Sequence, residues 1–520
     1  MRRNNPRMIR LYRLVSLLLL TLCAVAFSAS AADNRPNILF CIADDWGWPH
    51  ASAYGDPVVK TPAFDRIAKE GLLFHHAYIS SPSCTPSRNA ILTGQYHWRL
   101  GPGANLWSTL DTKHRTYPLL LEENGYFVGH WRKSWGPGKL DNWGGKHPAG
   151  KNYKNLDAFL TERPKDKPFC FWLGASDPHR PYQAGTGVAS GLDLSKIKLF
   201  EHYPDNETIR SDVADYYFEV QRFDNDVAVA MEKLQKQGLL ENTIVIMTGD
   251  HGMPFPRCKG NLYDAGARVP LAVRWPGKVK AGRVVDDFIS MTDLAPTFLA
   301  AGGVKPPKAM TGHSLVSLFK SGKSGRVEAA RDHVLIGKER HVAAQEAPDS
   351  GGTPMRGIRN HDYLLIRNYR TDRWPAGTPD YKKAFLPGAW LADCDNGPAK
   401  TYIVNQQNKD EEHRFKYELS FGKRPAIELY DVRIDPGQTN NIAYAPANSP
   451  IVRKLLAQMQ KELLASEDPR ERGIGDKTFD PVPYLGGAPL HPTHERMRKQ
   501  LRQKSKGKAK GAKGKGKAKK

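Results

Sequence analysis

The six cysteines, Cys23, Cys41, Cys84, Cys170, Cys258 and Cys394, form no Cys-x-x-Cys pair and no zinc-type spacing, so neither a dithiol motif nor a cysteine-built zinc site is encoded. No segment recurs at a fixed period, which excludes a repeat array. Long apolar runs are also missing. The one candidate, Leu14 to Phe27, is short for a membrane span; behind Arg2, Arg3, Arg7, Arg10 and Arg13 and ahead of Ala29-Ser30-Ala31, it reads as a secretory signal cleaved near Ala31. Leu22 before Cys23 argues against a lipoprotein site. The expectation is a secreted or periplasmic protein with no integral membrane anchor after cleavage; a retained N-terminal anchor is the alternative.

Acid is absent from both ends of the chain. Residues 1–32 carry five Arg and residues 496–520 carry 13 Lys or Arg, out of a net charge of +23. The middle is therefore only mildly basic. The Lys/Gly/Ala/Ser run from Lys504 to Lys520 has no aromatic residue on which a base could stack, so no nucleic-acid partner is expected. Its composition predicts a disordered tail, either a solubility tail or an electrostatic attachment to anionic polysaccharide. Without the signal, five cysteines remain; should Cys84 be modified, four are left, which permits disulfides without requiring them. A core built from more than 450 residues needs no such staple.

Three apolar runs share one design. Asn37–Ala43 ends in Asp44-Asp45, Pro168–Gly174 ends near Asp177-Pro178-His179, and Thr243–Gly249 ends in Asp250-His251. Such runs suit strands buried on both faces of a parallel sheet, and ligands of such sheets gather beyond the carboxyl ends of the strands. Helical stretches between them predict an α/β fold. Residues 61–71 combine a Thr cap, an early Pro and a final Gly, and residues 212–236 place Tyr216, Val220, Phe223, Val227 and Leu234 at helical spacing for the core. Adjacent Asp44 and Asp45 repel each other when buried unless a cation neutralises them. With Asp250 they offer hard oxygen ligands for Ca²⁺ or Mg²⁺; the alternative is a turn in which Asp side chains bond backbone amides.

Between the first and second runs lies Ser83-Cys84-Thr85-Pro86-Ser87-Arg88. Read alone, Cys84 could be a buried structural cysteine before a helix. The segment resembles the sulfatase signature Cys-x-Pro-x-Arg, whose cysteine is oxidised to formylglycine by a maturation enzyme. Gly125–Gly129 before Lys133, Gly266–Leu271, Ser290–Thr297, Leu429-Tyr430-Asp431 and Asn440–Ala443 extend the resemblance to formylglycine sulfatases of the alkaline phosphatase superfamily. That resemblance implies a large domain with a mostly parallel sheet flanked by helices, plus a smaller C-terminal α+β domain with an antiparallel sheet. The expected division is signal 1–31, catalytic domain 32–375, C-terminal subdomain 376–490 and basic tail 491–520.

The same resemblance implies roles by position. Asp44, Asp45, Asp250 and His251 would hold a divalent ion, Ca²⁺ or else Mg²⁺, beside the modified Cys84; His251 stands where many relatives have Asn. Arg88 would orient the formylglycine hydrate, Lys133 and Lys259 would contact sulfate oxygens, and His179 would protonate the leaving group. One departure is plain: where the family has Lys-x-His, this chain reads Lys133-Ser134-Trp135, and Trp135 cannot accept a proton. His130 and His147 are nearby candidates for the missing base. The surroundings of Lys259, together with Arg340, His341 and Arg359, are similar to the heparan N-sulfatase branch, and those three residues are candidate grips on a sugar carboxylate, hydroxyl or neighbouring sulfate. The implied substrate is a sulfated glycan, N-sulfoglucosamine first and an O-sulfate second. A phosphodiester or phosphonate hydrolase of the superfamily, or a noncatalytic glycan binder, are the alternatives.

Overall fold

The computed structural model describes residues 35–497. The expected signal and residues 498–520 of the expected basic tail lie outside them. Eight strands form the main sheet: β1 (Asn37–Ala43), β2 (Leu72–Tyr78), β3 (Phe127–Trp131), β4 (Lys151–Asn152), β5 (Phe169–Gly174), β6 (Thr243–Gly249), β7 (Leu271–Arg274) and β8 (Arg283–Ser290). Their order is β4-β3-β5-β1-β6-β7-β2-β8. The three apolar runs are the adjacent, parallel and fully buried β5, β1 and β6. Only β7 runs antiparallel to its neighbours.

Side-chain alternation along β1 feeds two cores. Leu39 and Cys41 pack with helices α1 (Pro62–Lys69) and α3 (Glu207–Lys236) on one face. Ile38, Phe40 and Ile42 pack with α2 (Cys84–Thr93) and α4 (Leu294–Ala301) on the other. The expected core residues of α3, Tyr216, Val220, Phe223, Val227 and Leu234, are all buried. The helix begins five residues before the expected Asp212, because Asn206 caps it by accepting from Ile209 N. In α1 the expected Thr cap is not made: Thr61 Oγ1 accepts from Ser52 N at 3.0 Å instead. Gly71 answers to a close approach rather than to helix capping, since a Cβ there would lie 2.0 Å from Val273 O on β7.

A second sheet, antiparallel, has the order β12-β11-β10-β9, from β9 (His333–Lys338), β10 (Met355–Asn360), β11 (Tyr363–Asn368) and β12 (Ile427–Asp431). Leu335, Ile358, Leu365 and Leu429 cover it against Leu455, Met459 and Leu463 of the C-terminal helix Ser449–Ala465. Three of its strands precede residue 375, so this layer draws on both sides of that position. Beyond that helix the chain packs back on earlier segments, where Leu485 N donates to Trp107 O at 2.9 Å and His491 N to Gly388 O at 2.9 Å. All five cysteines among the described residues are buried and free, and no helix there is long and apolar enough to cross a membrane.

Candidate active site

Four adjacent parallel strands deliver most of the polar groups. Lys133 follows β3, His179 follows β5, Asp44 and Asp45 follow β1, and Asp250 and His251 follow β6. Cys84 arrives from β2 as the first residue of α2 and is only 2 % exposed. Every residue of α2 is buried, so its free N-terminal amides and dipole act in a low-dielectric setting that favours negative charge. Ser83 holds the cap position without capping; its hydroxyl pairs with His341 Nδ1 at 2.8 Å.

The structure brings Asp44, Asp45, Cys84 and His251 together, their ligand atoms all within 4.8 Å of one another. His251 Nε2 lies 3.3 Å from Cys84 Sγ and 3.1 Å from Asp45 Oδ1. Because its Nδ1 faces Gly252 O at 3.0 Å and a carbonyl can only accept, a neutral His251 turns its Nε2 lone pair into the site. Asp250 stands at the edge of this group, its Oδ1 3.7 Å from His251 Nε2. It accepts from Asp45 N at 2.8 Å through Oδ1 and from Arg88 Nε at 2.8 Å through Oδ2. Asp45 adopts φ 73°, an αL conformation that Asp tolerates better than most residues.

Arg88 is wholly buried and spends its donors on carboxylates and carbonyls rather than on the thiol: Asp250, Asp44 Oδ1 at 3.4 Å, Lys133 O at 2.9 Å and Ala43 O at 3.3 Å. It braces the acidic loops. Lys133 Nζ reaches both oxygens of Asp44 at 2.5 Å, and Lys259 Nζ bridges Asp45 Oδ2 at 2.9 Å and Asp395 Oδ2 at 2.8 Å. The Lys133 loop can close on β5 because residue 174 is glycine; a Cβ there would lie 1.7 Å from Lys133 O. Burial pushes the Cys84 thiol up; Lys133 and Lys259 pull the other way, and Asp44 and Asp250 add to the rise. Burial also raises Asp44, but Lys133, His179, Arg88 and Lys259 hold it well below the usual carboxylate range.

His179 sits at the open side. Its Nδ1 is committed to Arg180 O at 2.6 Å, so any proton exchanged with a ligand passes through Nε2, which lies 3.8 Å from Asp45 Oδ2. Arg180 anchors this loop to α3 through paired bonds to Asp212 at 2.9 and 2.7 Å. Trp135 donates from Nε1 to Asn89 Oδ1 at 2.6 Å and serves to dock its loop on α2. Neither candidate for the missing base hydrogen-bonds or ion-pairs with this group. His130 and His147 stack on each other at 4.2 Å, and burial pulls them down to about 4 and about 3.

Of the three candidate sugar-binding residues, His341 borders the site. His341 touches Ser83, and Arg340 is 2 % exposed with Nε and one terminal nitrogen unpartnered among the described residues, the other terminal nitrogen donating to Ser350 O at 3.2 Å. Arg359 stands apart from this group: it pairs with Asp264 at 3.0 Å through two nitrogens and donates from its third to Asn360 O, a buried clamp that commits three of its five N–H donors. Sequence reasoning missed Asp395. It lies in a loop without periodic pattern, and only its acidity and the Asp-Cys-Asp run at 393–395 offered a signal.

The donor set suits a hard divalent cation. Three carboxylates are buried together, and Asp45 Oδ1 has no hydrogen-bond partner among the described residues despite complete burial, a costly state that a cation would relieve.

The chain is similar to known proteins. The sulfatase family model matches residues 36–304, and the model for the C-terminal region of N-sulphoglucosamine sulphohydrolase matches residues 249–376. An ulvan-active sulfatase of Formosa agariphila is 26 % identical over 83 % of this chain and 74 % of its own length. The Homo sapiens N-sulphoglucosamine sulphohydrolase is 28 % identical over 86 % of this chain and 94 % of its own. A solved structure, a complex with its substrate D-glucosamine-2-N,6-O-disulfate, superposes with a TM-score of 0.58 at 21 % identity, covering 84 % of this chain and 98 % of that one. That last likeness is one of fold.

Proposed function

The chain belongs to the sulfatase family, and on that premise we propose that it releases sulfate from a sulfated glycan, N-sulfated glucosamine first, using a formylglycine made from Cys84. The observation that carries this reading is the thiol at the head of a buried helix, grouped with Asp44, Asp45 and His251. The match to the N-sulphoglucosamine sulphohydrolase C-terminal model supports the choice of N-sulfate. A maturation enzyme and a site outside the cytoplasm follow from the same reading.

When present, a formylglycine hydrate supplies an oxygen nucleophile, and a divalent ion held by Asp44, Asp45, Asp250 and His251, Ca²⁺ in preference to Mg²⁺, adds positive charge opposite the sulfate oxygens. The protein's own groups do the rest. Arg88 fixes Asp250 and Asp44 through its guanidinium. Lys133 and Lys259 offer ammonium groups from two sides, in a water-poor pocket where preorganised charge is most effective. His179 Nε2 holds the proton destined for the leaving group. Arg340, two of whose nitrogens have no hydrogen-bond partner among the described residues, is offered as a further grip on an anionic or hydroxyl substituent of the sugar.

Mass spectrometry of the Cys84 peptide from the native host is expected to show the thiol sulfur replaced by an aldehyde oxygen, in protein that releases sulfate from N-sulfoglucosamine. A free thiol in fully active protein sinks the nucleophile assignment. His179→Ala is expected to lower kcat/KM on alkylamine leaving groups by about 10²–10⁴-fold, and on an aryl sulfate, whose leaving group needs no proton, by less than about tenfold. Equal losses on both would count against the acid role.

A further inference from the structure

Asp395 is an acidic group at this site that Arg88 does not contact and that the roles given above leave unused. A carboxylate oxygen of Asp395, His179 Nε2 and a carboxylate oxygen of Asp45 all lie within 4.8 Å of one another. Oδ2 of Asp395 accepts from Lys259 Nζ at 2.8 Å, while Oδ1 has no hydrogen-bond partner among the described residues, and the side chain is 19 % exposed. Its loop is held firmly. Lys400 Nζ donates to Trp390 O, Leu391 O and Cys394 O at 2.8, 3.1 and 2.9 Å, and to Asn396 Oδ1 at 2.9 Å. Two residues upstream, Asp393 Oδ2 takes Lys338 Nζ at 2.7 Å and Asp393 Oδ1 takes Val342 N at 2.8 Å. A carboxylate on a pinned loop, within 4.8 Å of a ring nitrogen of His179 and with one oxygen free to accept, is a preorganised reader of whatever atom His179 serves.

That atom is the one bridging sulfur to the sugar. In a sulfate ester it is an oxygen with lone pairs and no hydrogen; in a sulfamate it is a nitrogen carrying one N–H. A salt-bridged carboxylate is acceptor-only. It receives a hydrogen bond from the sulfamate N–H and repels the ester oxygen. Resting on the sulfatase reading above, we propose that Asp395 is the residue that selects a bridging N–H, and so makes this site specific for N-sulfated over O-sulfated sugar. Sites built to bond a substrate N–H or O–H reject analogues lacking it far more strongly than apolar pockets reject a change of size.

The test is a matched pair, N-sulfoglucosamine and glucose 2-sulfate, which differ at the bridging atom alone. The wild-type enzyme is expected to prefer the sulfamate by at least about 100-fold in kcat/KM. In Asp395→Asn, whose amide can donate to an ester oxygen, that preference should fall at least about tenfold. If Asp395 merely holds Lys259, both substrates suffer equally and an unchanged ratio overturns the proposal. Calorimetric titration of Cys84→Ala protein with the same two sugars separates the two readings: tighter sulfamate binding without any turnover in the wild type keeps the selector and discards the catalytic reading. Equal affinities in Cys84→Ala discard the selector, even should the Asp395 variant fail to fold.

Discussion

Cys84→Ala is expected to lower sulfate release by at least about 10⁴-fold while leaving the protein folded and able to bind the substrate sugar; the loss of a sole nucleophile is of this order or larger. The side chain is small and its truncation at the head of α2 removes one sulfur from a cluster that also contains Leu106, Val342 and Ala344, so the stability cost should stay near 1 kcal/mol, the centre of the range for single substitutions. An unmodified thiol would be poorly suited to the task, since burial pushes it up and away from the thiolate form. A carbonyl-reactive hydrazide should therefore label the active wild-type protein and not the alanine variant. Measurement of sulfate by ion chromatography, with melting temperature as the control, decides the matter. Retained turnover in Cys84→Ala would end the assignment of residue 84.

The central strands were legible because each motif places its chemistry where an apolar run stops. Asn37–Ala43 and Thr243–Gly249 carry no charged residue until Asp44 and Asp250, and the parallel register of β1 with β6 then brings those strand ends level. Cys84 was legible through the resemblance of Ser83–Arg88 to the sulfatase signature, since read alone it could equally be a buried structural cysteine. The remaining features depended on tertiary contacts. Arg359 carries the charge of a sugar-binding residue, yet the partner that uses it is Asp264, 95 positions earlier. Asp395 belongs to the site only because Lys259, 136 positions earlier, reaches both it and Asp45. Thr61 had every local mark of a helix cap, and Ser52 took its hydroxyl. Each outcome reflects long-range bonding overriding a local preference.

Asp250→Ala should remove metal binding and turnover together, and the structure says why the effect exceeds the loss of one ligand. Asp250 Oδ2 is the partner of a fully buried Arg88 guanidinium, and Oδ1 accepts the Asp45 amide that holds that residue at φ 73°. Deleting the carboxylate leaves a buried cation with a single weaker carboxylate partner, Asp44 at 3.4 Å. Breaking such a pair costs about 3–5 kcal/mol, and it frees the Asp44-Asp45 loop at the same time. Asp250→Asn separates the two effects, because the amide keeps an acceptor oxygen for one of the two bonds while giving up the charge. The asparagine variant is expected to melt within a few degrees of wild type in chelator, yet to lose the rise in melting temperature that Ca²⁺ gives the wild type and at least about 100-fold in turnover, in keeping with the several kcal/mol a bound cation contributes to transition-state charge. Mass action sets the size of that rise: a ligand at 100 times its Kd stabilises the folded state by about 2.7 kcal/mol. An asparagine variant that still gains the full stabilisation from Ca²⁺ would place Asp250 in the scaffold around Arg88 and leave coordination to Asp44, Asp45 and His251.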